Sequence, residues 1–260
     1  MIETEPSDTA AAPQSGSVDP DEIARFEATS EAWWDPQGSF RPLHRLNPVR
    51  IGYLRDRIAA HLGRDPRAAR PLADLRIVDI GCGGGLVCEP LARLGARVTG
   101  IDASERNVAI AANHAGESGL AIDYRAATAE TLADAWARFD VVLALEIVEH
   151  VADLDLFVEA CCRLVAPDGL LIFSTLNRTA KSFALAIVGA EYLLRWLPRG
   201  THDWRKFVRP SELAHVLARH GAKLEALTGL VYNPVSDRWR LADDLAVNYM
   251  AVARPASRAA

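Results

Sequence analysis

The spacing of apolar residues changes character twice along the chain. Residues 1–18 are rich in Ala, Ser, Pro and acidic residues with little to bury, which predicts a disordered tail. Asp19-Pro20-Asp21-Glu22 reads as a helix start: an N-capping Asp, Pro at the first helical position and acids in the first turn. This helix carries Ile23, Phe26 and Trp33-Trp34 before Asp35-Pro36 stops it. A loop over 37–45 follows, and Asn47-Pro48 reads as the start of a second helix over roughly 48–62. From residue 75 the period alternates. Strands are predicted over 76–80, 96–101, 122–126, 139–145 and 169–175, with helices over 85–94, 104–118 and 153–164. The uninterrupted apolar run Phe139 to Leu145 suits a strand buried on both faces of a parallel sheet. Residues 176–210 break the rhythm. Pro210-Ser211-Glu212 then opens a helix that Gly221 caps, and two last strands fall over 223–229 and 246–253. Strands alternating with helices in this order predict a doubly wound α/β sheet. The expected organisation is a tail (1–18) followed by one domain (19–255), with N-terminal helices over 19–70 and an insertion over 178–209.

Composition narrows the class. At 260 residues, half of them apolar, the chain is long enough for one large soluble domain. A formal net charge of −5 gives no global basic field, so nucleic acid is not an expected partner. The cysteines at 82, 88, 161 and 162 lack metal or disulfide spacing and read as reduced thiols of a cytoplasmic protein. No basic-then-apolar leader opens the sequence, and the apolar run over 183–190 is far short of the roughly 20 residues that span a bilayer.

The chemistry concentrates on Val78-Asp79-Ile80-Gly81-Cys82-Gly83-Gly84-Gly85. This loop follows a strand and precedes a helix, where glycines let the backbone turn sharply and approach a ligand. Asp102 closes the next strand, 21 residues after Gly81, where a carboxylate can accept both ribose hydroxyls of a nucleoside. A dinucleotide fingerprint G-x-G-x-x-G would need glycine at position 86, which is Leu86, so a nucleoside without pyrophosphate is favoured over NAD. The competing interpretation is a bare tight turn with Asp102 as a surface acid.

The loop resembles motif I of class I S-adenosylmethionine-dependent methyltransferases. That resemblance implies a Rossmann-like fold with a seven-stranded, mostly parallel sheet and helices on both faces. It implies that Gly81 and its neighbours Asp79 and Gly83 meet the methionine portion of the cofactor and that Asp102 holds the ribose. Thr128-Ala129-Glu130 would then lie near the adenine, with Leu145 lining the cofactor. Further segments resemble the ubiquinone-biosynthesis O-methyltransferases: Phe26-Glu27, Trp33-Trp34-Asp35, the stretch Pro42 to Arg50, Leu145 to Val151, Ser174 to Arg178, Gly189 to Tyr192, Gly200 to Asp203, Gly229 to Pro234 and Val247 to Met250. Together they span roughly 20–253. The resemblance implies that Arg50 contacts the cofactor carboxylate and that the acceptors are catechol-type polyprenyl precursors at two pathway steps. Those are a 2-polyprenyl-6-hydroxyphenol and 3-demethylubiquinol. It also implies Mg²⁺ at Glu146, Glu149 and His150, as in some members, and a ubiquinone-biosynthesis complex as partner.

Glu146, Glu149 and His150 have i, i+3, i+4 spacing where the fourth strand gives way to an expected helix, at the edge that faces the transferred methyl group. A phenol has a pKa near 10, so a base or a metal must help form the phenolate. His150 can take a proton at neutral pH, and two carboxylates with an imidazole can hold Mg²⁺. The alternative is that the glutamates complement a helix N-terminus and His150 is structural.

The insertion carries seven basic residues (Arg178, Lys181, Arg195, Arg199, Arg205, Lys206, Arg209) against Glu191 and Asp203, a local balance of +5. Phe183, Ile187, Ala190, Leu194 and Leu197 recur at helical spacing among them. A helix lying on an anionic membrane surface fits that pattern and a substrate with an isoprenoid tail. A lid helix packed on the core is the alternative. The expected location is cytoplasmic, peripheral on the inner face of the membrane. Rival functions are O-methylation of another small hydroxylated aromatic, an NAD-binding oxidoreductase and a non-catalytic lipid-binding module.

Overall fold

The computed structural model describes residues 16–135, 137–185, 203–234 and 236–256. One eight-stranded sheet runs in the order β3-β2-β1-β4-β5-β8-β6-β7. Its strands are β1 (Arg76–Ile80), β2 (Arg97–Asp102), β3 (Asp123–Ala126), β4 (Phe139–Leu145), β5 (Val165–Leu176), β6 (Ala222–Asn233), β7 (Arg238–Ala242) and β8 (Asn248–Pro255). The first five are parallel, whereas β8 is antiparallel to β5 and β6, and β7 to β6. The strand order reverses between β1 and β4, and open α/β sheets bind ligands at the carboxyl ends of such strands.

Alternation along the strands sends side chains into two cores. On β4, Val142 and Ala144 join Val78, Ile80, Leu171 and Phe173 beneath helices α6 (Leu154–Leu164) and α8 (Pro210–Arg219). Val141, Leu143 and Leu145 face the other way with Ile77, Leu170 and Ile172. There helices α2 (Arg41–His61) and α3 (Cys88–Arg93) cover them through Leu54, Ile58 and Leu91. The expected Rossmann-like sheet with helices on both faces is therefore present. Helix α4 (Glu105–Glu117) packs against β2 and β3.

Several elements depart from the sequence reading. The sheet has eight strands rather than seven, because β6 is twelve residues long and its far half forms a hairpin with β7. The two arginines of Arg238-Trp239-Arg240 hid that strand, but charges are at home on a sheet edge. Helix α1 (Pro20–Glu27) ends early, and a 3₁₀ turn covers Ser30–Ala32. Helix α2 begins at Arg41, with Pro42 in its first turn and Pro48 inside it. Asn47 is therefore no cap: its Nδ2 donates to the Leu86 carbonyl at 2.6 Å and its Oδ1 accepts from Arg50. A helix not anticipated, α5 (Ala129–Asp134), is started by Thr128 through a capping box with Thr131. Strand β5 begins at Val165, four residues early, across a register shift against β4. A single short turn, α7 (Ala180–Ser182), follows β5.

The tail boundary also moves. Ser17 is buried, its N–H donating to Glu130 Oε1 (3.2 Å) and its carbonyl accepting from Ala152 N (2.7 Å), so at least residues 16–18 belong to the domain. Residues 1–15 and most of the 178–209 insertion lie outside the described residues. No helix among the described residues is long and apolar enough to cross a membrane.

Candidate active site

Strand β1 delivers the chain into the glycine loop, where Gly81, Gly83 and Gly85 take φ of 71°, 52° and 86°. That left-handed backbone explains the glycines. The N–H groups of Gly81 and Cys82 both donate to the Ile101 carbonyl, at 2.8 and 2.9 Å, tying the loop to β2. A methyl group at Gly83 would lie 2.4 Å from the Trp33 ring and one at Gly81 2.1 Å from Ile147 Cδ1. Asp102, at the end of β2, accepts from Gly83 N (2.9 Å), Ser104 N (2.9 Å) and Asn107 Nδ2 (3.2 Å). Burial nonetheless raises its pKa above the usual carboxylate value.

A cavity of about 530 Å³ opens over this loop. Asp79, Gly81, Gly83 and Asp102 line it together with Glu146, Glu149 and His150, and Leu176, Leu230 and Trp239 add apolar surface. That volume suits a nucleoside cofactor with an aromatic acceptor.

Arg50 reaches the cavity from α2, fully buried, with Asn47 Oδ1 holding its Nε and Nη2 at 3.2 and 2.9 Å. Burial lowers its pKa, while the carboxylates of Glu146 and Asp79 work to raise it. Asp79 is pushed up to about 6 by burial, against the stabilising effects of the Cys88 thiol (3.3 Å) and Arg50. A buried guanidinium beside two acids is a natural seat for an amino-acid zwitterion.

Thr128, Ala129 and Leu145 line the cavity. Glu130 does not: its Oε1 is taken by Ser17 N, and Oε2 is buried with no hydrogen-bond partner. The residue expected near the adenine instead secures the N-terminal segment.

The Glu146-to-His150 stretch is a turn, not the first turn of a helix, which starts at Leu154. Glu146 takes φ 54°, costly for a residue with a side chain, and is held there by β5. Its N–H donates to the Ser174 carbonyl (2.9 Å) while its Oε1 accepts from Ser174 Oγ (2.7 Å). Glu149 accepts from Thr175 Oγ1 (2.7 Å), and burial, reinforced by Glu146, pushes its pKa up to about 8. His150 meets the N-terminal helix, its Nδ1 3.1 Å from Glu22 Oε2 and its ring edge-on to Phe26 at 5.0 Å.

The expected Mg²⁺ ligand set is therefore not assembled. Among the described residues no three His, Cys, Asp or Glu side chains gather as a metal site. Each of the three candidates is engaged by a different neighbour: Glu146 by Ser174, Glu149 by Thr175 and His150 by Glu22. The residues present do not fit a divalent cation.

The tryptophans of the Trp33-Trp34-Asp35 segment pack against the glycine loop. Trp33 lies over Gly83-Gly84, stacks on Phe40 (3.7 Å) and donates to Asn107 Oδ1 (3.0 Å). Trp34 donates to the Gly84 carbonyl (2.9 Å). Glu22 read only as a first-turn acid complementing α1, yet it sits in the cavity wall.

The profile of the methyltransferase domain family matches residues 78–173. The ubiquinone biosynthesis O-methyltransferase of Chelativorans sp. (strain BNC1) is 58% identical over 237 residues, covering 91% of this chain and 94% of that protein. That of Mesorhizobium japonicum is 56% identical, covering 94% and 98%. The fold matches the magnesium protoporphyrin IX methyltransferase of Synechocystis PCC 6803 with bound S-adenosylhomocysteine (TM-score 0.58, 21% identity, 90% of this chain and 92% of that one). It also matches the Burkholderia thailandensis 1,6-didemethyltoxoflavin-N1-methyltransferase (TM-score 0.56, 19% identity, 91% and 86%).

Proposed function

The chain belongs to the ubiquinone biosynthesis O-methyltransferases, and from that premise we propose how its cavity divides the work between cofactor and acceptor. The enzyme is S-adenosylmethionine-dependent. In this reading Asp79, Gly81, Gly83, Thr128, Ala129 and Leu145 surround the cofactor. Asp102 holds its ribose and Arg50 its carboxylate. The acceptor, a catechol-type polyprenyl phenol or quinol, lies beside His150 with its tail along Leu176, Leu230 and Trp239.

The observation that carries the reading is that the glycine loop, Asp102 and His150 line one undivided cavity. His150 takes the phenol proton. The phenolate oxygen then attacks the methyl carbon in line, the O–C bond forming as the C–S bond breaks, with the electron pair leaving on sulfur. A negative oxygen and a positive sulfonium become a neutral ether and thioether, a change that a low-dielectric cavity favours. Glu149, held largely neutral at pH 7, adds little negative charge beside the phenolate. A labelled-methyl assay with a short-tailed catechol precursor tests this. His150→Ala should lower kcat by roughly 10²-fold or more while cofactor affinity is kept. Wild-type turnover would refute the base role.

Phe183 and Leu185 are 47% and 52% exposed, and Leu185 and Lys181 belong to the cavity wall. Exposed apolar and basic side chains in and next to the cavity wall suit an acceptor drawn from an anionic bilayer, with the enzyme peripheral on the inner, cytoplasmic face and within reach of other enzymes of its pathway. Co-sedimentation with anionic vesicles should fall in Phe183→Asp/Leu185→Asp, and equal binding by that variant would refute it.

A further inference from the structure

At the surface, an acid in the first turn of α1 would simply complement the helix N-terminus. Glu22 is instead 7% exposed and faces the cavity. Its Oε2 lies 3.1 Å from His150 Nδ1, its Oε1 3.3 Å from Lys206 Nζ, and Arg25 Nη1 is 3.2 Å from both oxygens. One turn on, Phe26 sets its ring at 89° to the imidazole. A single helix thus holds His150 on two sides.

We infer that Glu22 is a positioning residue for methyl transfer: it fixes the ring and tautomer of His150, and Lys206 fixes Glu22. The inference rests on the reading of His150 as the base. A neutral imidazole carries one N–H and one lone pair, and the partner of one nitrogen decides which is which. A carboxylate accepts and does not donate, so Nδ1 carries the hydrogen and Nε2 is left as the proton acceptor. Once the phenol proton arrives, the imidazolium lies against a carboxylate that stabilises it. Burial works against an ionised Glu22, but the hydrogen bond and charge of His150, with Arg25 and Lys206, bring its carboxyl below the ordinary value. Lys206 also holds the capping Asp19 at 2.9 Å. It thereby clamps the start of α1 to the 3₁₀ turn Trp204–Lys206.

The contacts alone also fit a plain staple for α1, so the test separates orientation from folding. Full-length protein is assayed for kcat and KM with a short-tailed catechol precursor, for S-adenosylhomocysteine affinity by calorimetry, and for Tm. Glu22→Gln keeps the shape but loses the fixed anionic acceptor. It should lower kcat by roughly 10²-fold with KM and cofactor affinity within about threefold. Combined with His150→Ala it should add nothing to the loss from His150→Ala alone, as expected of residues acting as one unit. ¹⁵N-histidine NMR of the wild type should show the Nδ1–H tautomer at His150, which covers the case of a variant that does not fold. An Nε2–H tautomer overturns the inference. So does a Glu22→Gln enzyme with wild-type kcat beside an inactive His150→Ala, or additive losses in the double variant. Wild-type turnover in His150→Ala is a different result, which overturns the base reading and this inference with it.

Discussion

Replacing Gly83 by alanine puts the coupling between the N-terminal segment and the glycine loop under load. The residue sits at φ 52°, where an L side chain costs about 1–2 kcal/mol. Its new methyl would lie 2.4 Å from Trp33 Cη2 and Cζ2, so the indole must move. Trp33 then loses its stack on Phe40, an interaction of about 1 kcal/mol, and its hydrogen bond to Asn107, of similar size. Together these predict a loss of about 3–4 kcal/mol, or a Tm lower by roughly 10 °C for a domain this size. Gly83 N also holds Asp102 Oδ2, so cofactor affinity should fall in parallel. Thermal unfolding followed by tryptophan fluorescence measures the first effect and calorimetry the second. Gly116→Ala is the control: it lies within α4 with open space around its would-be methyl, and should be neutral or stabilising by up to about 1 kcal/mol. A Gly83→Ala protein within about 1 kcal/mol of wild type would refute the argument that the loop and Trp33 form one packed unit.

Three further outcomes follow from buried groups. Asp79 binds its proton more readily folded, with a pKa of about 6, than unfolded near 3.8. Its contribution is therefore most favourable below pH 4 and is lost as pH rises through 6, a change of about 3 kcal/mol that Asp79→Asn should flatten in urea titrations of ligand-free protein. Glu149, raised to about 8, has the same sign over a higher window, stability declining from pH 4.5 to 8. Glu149→Gln should remove that decline in the same titrations. At Gly229, where β6 passes from β8 to β7, an added methyl would meet the Asp244 carbonyl oxygen at 1.9 Å. Gly229→Ala should thus open the hairpin, read as faster amide exchange in β7.

What the sequence disclosed was whatever repeats within a few residues. The apolar run of β4, the glycines before α3 and the acid closing β2 are local patterns, and each stands where its period put it. The extent of α2 was misread because Asn47-Pro48 imitates a helix start, although Pro42 already supplies one. The i, i+3, i+4 spacing of Glu146, Glu149 and His150 suggested a shared helical face. Instead Glu146 takes left-handed backbone, Ser174 and Thr175 on β5 hold the two glutamates, and His150 meets Glu22. The contact of His150 with Glu22 spans 128 residues, and no pattern within either segment announces it.

The same division between local and distant explains how this enzyme differs from the fold it uses. The methyltransferase profile ends at residue 173, whereas the close relatives match more than nine-tenths of the chain. Within 78–173 lie the glycine loop, Asp102 and the turn bearing His150. Outside it lie two sets of lining residues: a first wall of Glu22, Phe26, Trp33 and Arg50 from before the profile, and a second of Leu176, Leu230, Tyr232 and Trp239 from after it. The second wall is held to the first, because Asp237 pairs with Arg45 of α2 and accepts from Tyr232 Oη at 2.6 Å. Of these lining residues, Leu176, Leu230, Tyr232 and Trp239 are the ones to which the proposed reaction assigns neither cofactor nor proton. Changes in β7 should therefore alter which phenol is accepted long before they alter affinity for the cofactor.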